Sequence, residues 1–194
     1  MKFKSENTAI LKGKSATAVM ICEVATASDK VIDISCGTGR NMKFIKENSE
    51  VKTIHGCDIA EQLERSKKHH DILRAEGMEI FESSETPKEK YTLALNSHVL
   101  NVIPSDEIKQ LVVNNIYNSL VKGGRAYIEV RYENDINGIK HKTPHLDGFH
   151  VTRTNTYQEF VTPEKMTRLV TNAGFKIIEH VCKKSSCHYI VVEK

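Results

Sequence analysis

Val31 to Ser35 carries three β-branched apolar residues around one acid before a closing serine, and it predicts a buried strand. Ahead of it, Ala9 to Thr26 carries good helix formers with Ala18, Val19 and Cys22 at helical spacing, which predicts an N-terminal helix. Behind it, apolar and polar positions alternate between the two periods. Helices are expected at Asn41 to Glu47, Ala60 to Glu76, Ser105 to Leu120 and Glu164 to Asn172. Strands are expected at Lys52 to Cys57, Met78 to Phe81, Tyr91 to Asn96 and Arg125 to Arg131, then Phe175 to Cys182 and His188 to Glu193. Lys122, Gly123 and Gly124 read as the C-cap of the helix before them. Between Glu133 and Val161 the pattern dissolves, and a long loop is expected there.

Strands alternating with helices predict an α/β fold: a doubly wound, mostly parallel, seven-stranded sheet with helices on both faces. The last two strands break the rule. Only Lys183 to Cys187 separates them, too few residues for a crossover, so they must form a C-terminal antiparallel hairpin. A length of 194 residues with no linker suits a single domain spanning residues 1–194.

Composition narrows the setting. With 28 Lys plus Arg against 25 Asp plus Glu, the chain lacks the strongly basic balance of a dedicated nucleic-acid binder. Five scattered cysteines and no opening signal segment suggest a reducing, cytoplasmic location. No apolar run approaches the ~20 residues of a membrane span, so no membrane partner is expected.

The chemistry concentrates at VIDISCGTGR, Val31 to Arg40, where the first strand delivers a glycine turn to the carboxyl edge of the sheet, the ligand-binding edge of such folds. Gly37 and Gly39 allow close approach of backbone to a ligand. A dinucleotide fingerprint would place a third glycine where Met42 stands, which weakens a nicotinamide-dependent dehydrogenase reading. Asp33 within the strand and Asp58 at the end of the next supply carboxylates, and Asp58 sits where both hydroxyls of a ribose can be accepted. A plain strand-to-helix connection would also use such a turn.

These residues, with the closing hairpin, resemble the class I S-adenosylmethionine-dependent methyltransferases. Asp33, Ser35, Gly37 and Gly39 stand where that family has an acid and its Gly-x-Gly-x-Gly, with Ser35 replacing the first glycine. The resemblance implies S-adenosyl-L-methionine as cofactor. It implies that Ser35, Cys36, Gly37 and Gly39 approach the cofactor's amino-acid portion, that Asp58 and Ile59 meet the ribose, and that Glu82 or Ser83 lies near adenine. LALNSHVLNVIP is similar to the family's fourth-strand motif, which places Asn96, Ser97 and His98 at the methionine end. SHVLNVIP and DGFHVTRTNTYQEFVTPEKM are also similar to segments of methyltransferases associated with DNA phosphorothioation, which draws attention to Asn101, Thr154, Tyr157 and Gln158. On that similarity nucleic acid, DNA or RNA, is slightly favoured over a small metabolite as methyl acceptor.

His98 and Asn96 are the catalytic candidates, His98 because it follows the fourth strand and titrates near neutrality. No proline-proline-aromatic run or proline-cysteine pair follows that strand, so the usual exocyclic-amine and cytosine-C5 mechanisms are not supported. His141, His145, Asp147 and His150 invite a metal reading, as do Cys182, Cys187 and His188, yet neither spacing matches a closed zinc pattern and no metal is expected. Arg125, Arg131, Lys140, Lys142 and Arg153 could form a positive rim at the strand ends, with Tyr157 and Phe160 beside it for stacking. The alternative function is a protein that binds S-adenosylmethionine without transferring its methyl, as a regulatory subunit or a cofactor-degrading enzyme.

Overall fold

The computed structural model describes residues 14–194. The strands β1 (Lys30–Ile34), β2 (Thr53–Asp58), β3 (Glu79–Glu82), β4 (Tyr91–Ser97) and β5 (Leu120–Val130) are parallel. The helices α1 (Ala16–Val24), α2 (Arg40–Asn48), α3 (Ala60–Ala75) and α4 (Asp106–Ser119) alternate with them. The seven-stranded sheet is completed by β9 (Lys176–Lys183) and β10 (Cys187–Glu193), in the order β3-β2-β1-β4-β5-β10-β9, with β10 antiparallel to both β5 and β9. The doubly wound, mostly parallel sheet and its terminal hairpin are therefore as the sequence pattern requires. The helix expected from Ala9 is seen over Ala16–Val24; residues 9–13 lie outside the described residues.

Period-two alternation assigns each strand residue a face. Ile32 and Ile34 pack with Val113 and Ile116 of α4 and with Met166 and Leu169 of α6 (Pro163–Asn172). Val31, Leu93 and Leu95 meet Ala18 and Ile21 of α1, Met42 and Ile45 of α2 and Leu73 of α3. Local signals fix the helix starts: the hydroxyls of Ser15, Ser105 and Thr162 accept from Ala18 N, Ile108 N and Lys165 N, and Pro163 fills the first turn of α6.

Two expectations are corrected. Helix α4 ends at Ser119 with Leu120 already extended, so Gly123 and Gly124 cap nothing. They lie in an irregularity of β5 where pairing jumps from Tyr91↔Leu120 to Leu93↔Arg125, and Gly123 supplies the left-handed φ of 78°. A glycine pair after an apolar run is shared by both devices, which is why the sequence misleads.

The segment expected to be a long loop carries structure of its own. It holds the short helix α5 (Glu133–Asn137) and a three-stranded antiparallel sheet of β6 (Lys142–His145), β7 (Gly148–Val151) and β8 (Thr156–Gln158). Its strands are too short and polar to show alternation, and Pro144 is tolerated because β6 is an edge. Ionic contacts hold this sheet to the main body. The fully buried Lys109 of α4 gives its ammonium to Glu159 at 2.6 Å and Asp106 at 3.1 Å. Lys165 of α6 reaches Glu159 at 2.5 Å, Asp147 at 2.9 Å and Asp106 at 3.1 Å, and Tyr157 donates its hydroxyl to Glu159 at 2.9 Å. Asp106, Asp147 and Glu159 bring ligand atoms within 4.8 Å of one another, but the Lys165 ammonium bonds all three.

His188 donates to or accepts from His180 across the hairpin, Nε2 to Nε2 at 3.1 Å. It has no exposed surface, and burial followed by the neighbouring imidazole lowers its pKa to about 4.

Two outcomes follow from these buried groups. Lys109→Met removes one of the two ammonium partners of the buried Glu159 carboxylate, leaving it Lys165 and the Tyr157 hydroxyl, and is expected to cost about 1–3 kcal/mol in urea unfolding. Between about pH 6.5 and 4 the unfolded chain binds a proton that folded His188 refuses, so stability falls as the pH drops through that window. His188→Leu is expected to flatten that slope in melts taken across the window.

Candidate active site

At the carboxyl edge of the sheet a cavity of about 450 Å³ opens, lined by the turn after β1, the end of β2, one face of α3 and the segment following β4. The turn curls because left-handed residues recur: Ser35 (φ 60°), Gly37 (φ 58°) and Gly39 (φ 77°). Ser35, which stands where the resembled motif has a glycine, takes up a left-handed conformation at a cost of roughly 1–2 kcal/mol for an L-residue. Gly39 is demanded twice, by its φ and because a Cβ there would lie 2.1 Å from Leu73 Cδ1. Helix α2 packs tightly on the sheet without a third glycine in the turn. Gly56 of β2 provides the room instead, since a Cβ there would meet Met42 Sδ at 2.6 Å.

Asp58 organises the turn. Its Oδ2 accepts from Gly37 N at 2.8 Å and its Oδ1 from Ile59 N at 2.9 Å. Burial raises its pKa, and the two backbone donors oppose that shift. Asp33 lies beneath, fully buried; burial first, then the charge of Asp58, push its carboxyl up to about 8. Its Oδ2 has no partner among the described residues.

Of the candidates from sequence, Ser35, Cys36, Gly37, Asp58, Ile59, Ser97 and His98 all line the cavity. Asp33, Gly39, Ser83 and Asn96 do not. Asn96 is fully buried and donates to Ile34 O at 2.8 Å, and the Ser83 carbonyl accepts from Thr86 and Asn115. Much of the remaining lining was not singled out from sequence: Thr38, Arg40, Asn41, Gln62, Arg65, Ser66 and His69 on one side, and the apolar wall Val99, Val102, Ile103, Ile108 and Val112 on the other.

His98 is held in an unusual conformation, with φ 59° and its N–H donated to Glu129 O at 2.8 Å. Its Nε2 lies 3.4 Å from the Glu129 carboxylate. Glu129 also accepts from Thr17 N and Thr17 Oγ1 at 3.3 Å, and from Ser97 Oγ at 3.4 Å. Burial lowers the His98 pKa, and Glu129 opposes that shift. Its Nδ1 is buried with no partner among the described residues. Glu129 escaped the sequence reading, although a lone carboxylate in the apolar run AYIEV was the available signal.

Other expected groupings do not assemble. Tyr157 is buried in the Glu159 cluster, Asn101 donates to Gln158 at 3.1 Å, and His150 pairs with Asn155 at 2.9 Å. Arg125 pairs with Glu193 at 3.1 Å, Arg131 with Asp135 at 3.1 Å, and Lys142 donates to the Ile136 and Asn137 carbonyls. Cys182 faces His188 across the hairpin, but the imidazole of His188 is engaged by His180.

Comparison with known proteins agrees with this architecture. The family described as "Methyltransferase domain" matches residues 14–180. A methyltransferase of Methanosarcina mazei superposes with a TM-score of 0.66 at 16% identity, covering 90% of this chain and 96% of that one. Human N-acetylserotonin methyltransferase, solved with S-adenosylmethionine, gives 0.62 at 18% identity over 92% of this chain and 52% of its own. The 1,6-didemethyltoxoflavin-N1-methyltransferase of Burkholderia thailandensis, solved with S-adenosylhomocysteine, gives 0.61 at 17% identity over 92% and 76%. No curated protein sequence matches.

A turn and carboxylate arranged in this way on a sheet of this order define the Rossmann-like methyltransferase fold. The chain belongs to the methyltransferase-domain family, and it is an S-adenosylmethionine-dependent methyltransferase with S-adenosylmethionine as cofactor. The cavity suits that cofactor: a carboxylate at the end of β2, an apolar wall for a flat base, and space above Gly37, where a Cβ would touch nothing within 4 Å.

Gly39→Ala combines a disfavoured φ with the Leu73 clash. It is expected to lower the melting temperature by several degrees and to weaken S-adenosylhomocysteine binding by at least ~10-fold in calorimetric titration.

Proposed function

We propose that this enzyme methylates a hydroxyl or ring N–H of a small molecule, with His98 as general base and Glu129 as the group that orients it. The observation that carries this reading is the His98–Glu129 contact. Because Nε2 faces a carboxylate, it holds the ring proton, and Nδ1 remains the unprotonated lone pair. The half-buried, neutral imidazole lines the cavity at the end of β4, and once its ring turns to bring the Nδ1 lone pair to the cavity it takes the acceptor's proton, with Glu129 stabilising the imidazolium.

When bound, the cofactor supplies an electrophilic methyl on a sulfonium. The chain's own part is to hold it: the backbone of Ser35 to Gly39 at the amino-acid end, Asp58 and Ile59 at the ribose, and Val102, Ile103, Ile108 and Val112 around the adenine. Asp33 and Asn96 support from beneath rather than by touch. Asp33 lies below the turn, and Asn96 ties β4 to the carbonyl of Ile34.

The choice of a small acceptor rests on two observations. Of the aromatic side chains expected to stack on a nucleic-acid base, Tyr157 is locked in the protein interior and Phe160 packs on His188, and Arg125, Arg131 and Lys142 of the expected basic rim are paired within the chain. Two structural neighbours are named for small-molecule acceptors, N-acetylserotonin and 1,6-didemethyltoxoflavin.

Labelled methyl from S-adenosylmethionine should enter the low-molecular-weight fraction of a cell extract, and exclusive uptake into DNA or RNA would overturn the small-molecule reading. On the accepting fraction His98→Gln is expected to lower kcat by ~10²–10⁴-fold with little change in KM. Glu129→Gln removes the charge that raises the His98 pKa, so the acidic limb of its pH–rate profile should move to lower pH while kcat falls.

A further inference from the structure

His70, on α3 behind the glycine turn, has no exposed surface and places its Nε2 2.7 Å from the carbonyl oxygen of Gly37. A carbonyl only accepts, so Nε2 carries the proton and donates. Nδ1 is then a bare lone pair, and it has no partner among the described residues. The other side of Gly37 is held as well, by the bond from its N–H to Asp58. The carbonyl of Cys36 accepts from Gly39 N at 2.9 Å, so three consecutive polar groups of the turn point where a specific partner holds them.

The peptides of the described chain are trans, and a trans peptide sets its C=O and N–H on opposite sides. With Gly37 O turned toward α3, the N–H of Thr38 is turned away from α3, and Thr38 lines the cavity. Glycine at φ 58° with open space around it lacks the steric lock that would otherwise keep this peptide from rotating. A flipped peptide would present a carbonyl where the cavity otherwise meets a donor.

We propose that His70 is a positioning residue, which holds the Gly37–Thr38 peptide so that Thr38 N–H faces the methionine carboxylate of the cofactor. This rests on the reading that the glycine turn receives the cofactor's amino-acid end. His70 itself touches no ligand. His69 beside it in sequence lines the cavity, whereas His70 works from the far side of the turn.

The consequence is selective. S-adenosylmethionine and S-adenosylhomocysteine both carry the amino-acid carboxylate, and 5′-methylthioadenosine lacks it while keeping adenine and ribose. By calorimetric titration of the full chain, His70→Met is expected to bind the first two ~10-fold more weakly and 5′-methylthioadenosine within ~2-fold of wild type. His70→Gln, whose amide donates to the same carbonyl, is expected to recover most of the lost affinity.

Equal loss for all three ligands would mean that His70 only supports the fold, and an unchanged affinity for all three would mean that the turn needs no clamp. Either result overturns the inference, as does a Gln variant as impaired as Met. Wild-type protein that binds 5′-methylthioadenosine but neither amino-acid-bearing ligand would overturn the assignment of the turn itself, a failure visible before any variant is made.

Discussion

The hydrogen bond from Gly37 N to the Asp58 carboxylate joins the end of β1 to the end of β2, and the working edge of the sheet is built around it. Without it, a turn with three left-handed residues would rest on the bond from Cys36 N to Cys57 O and on His70 at the Gly37 carbonyl, with nothing to hold the Gly37 N–H. With it, the same carboxylate also receives Ile59 N, so one side chain sets the turn and the entry of α3 together. Helix α3 then returns His70 to the other face of the turn. The loop is thus fixed from both sides by a single strand-turn-helix unit, and a buried carboxylate is kept beside the cavity at the cost of desolvation.

Opposite that unit the cavity wall depends on charge. The turn Leu100–Val102 leans on Glu159, whose N–H is accepted by Asn101 O at 2.8 Å, and Glu159 is in turn clasped by Lys109 and Lys165. The small sheet has few apolar side chains with which to bury itself. Its attachment comes from ammonium and carboxylate groups that neutralise one another inside the protein, an arrangement that specifies geometry more than it adds stability.

Much of the main sheet was legible in the sequence because its strands are long enough to show their period and their connections are short. The hairpin followed from a count of residues between two apolar runs. The small sheet was not legible: strands of three or four residues, rich in His, Thr and Lys, carry no periodic signal, and their partners lie far along the chain. The cavity's glycine turn and Asp58 could be read because they are local. Glu129 and His70 could not, since each acts across the fold on a residue more than thirty positions away. Gly56 is the subtler case. Close packing of the helix on the sheet required a glycine, and the chain placed it on the neighbouring strand where the motif's own third glycine is absent.

The antiparallel placement of β10 also governs the order in which the chain is completed. Strand β5 is flanked by β4 on one side and by residues 187–193 on the other, and Gly123 N and Gly124 O are bonded to Lys194. During synthesis, β5 emerges well before its second neighbour exists, so the nascent parallel sheet carries a naked, apolar strand edge until the last segment of this sequence leaves the ribosome. That edge is a template for pairing with another chain, and the hairpin that closes the fold is also what ends the exposure.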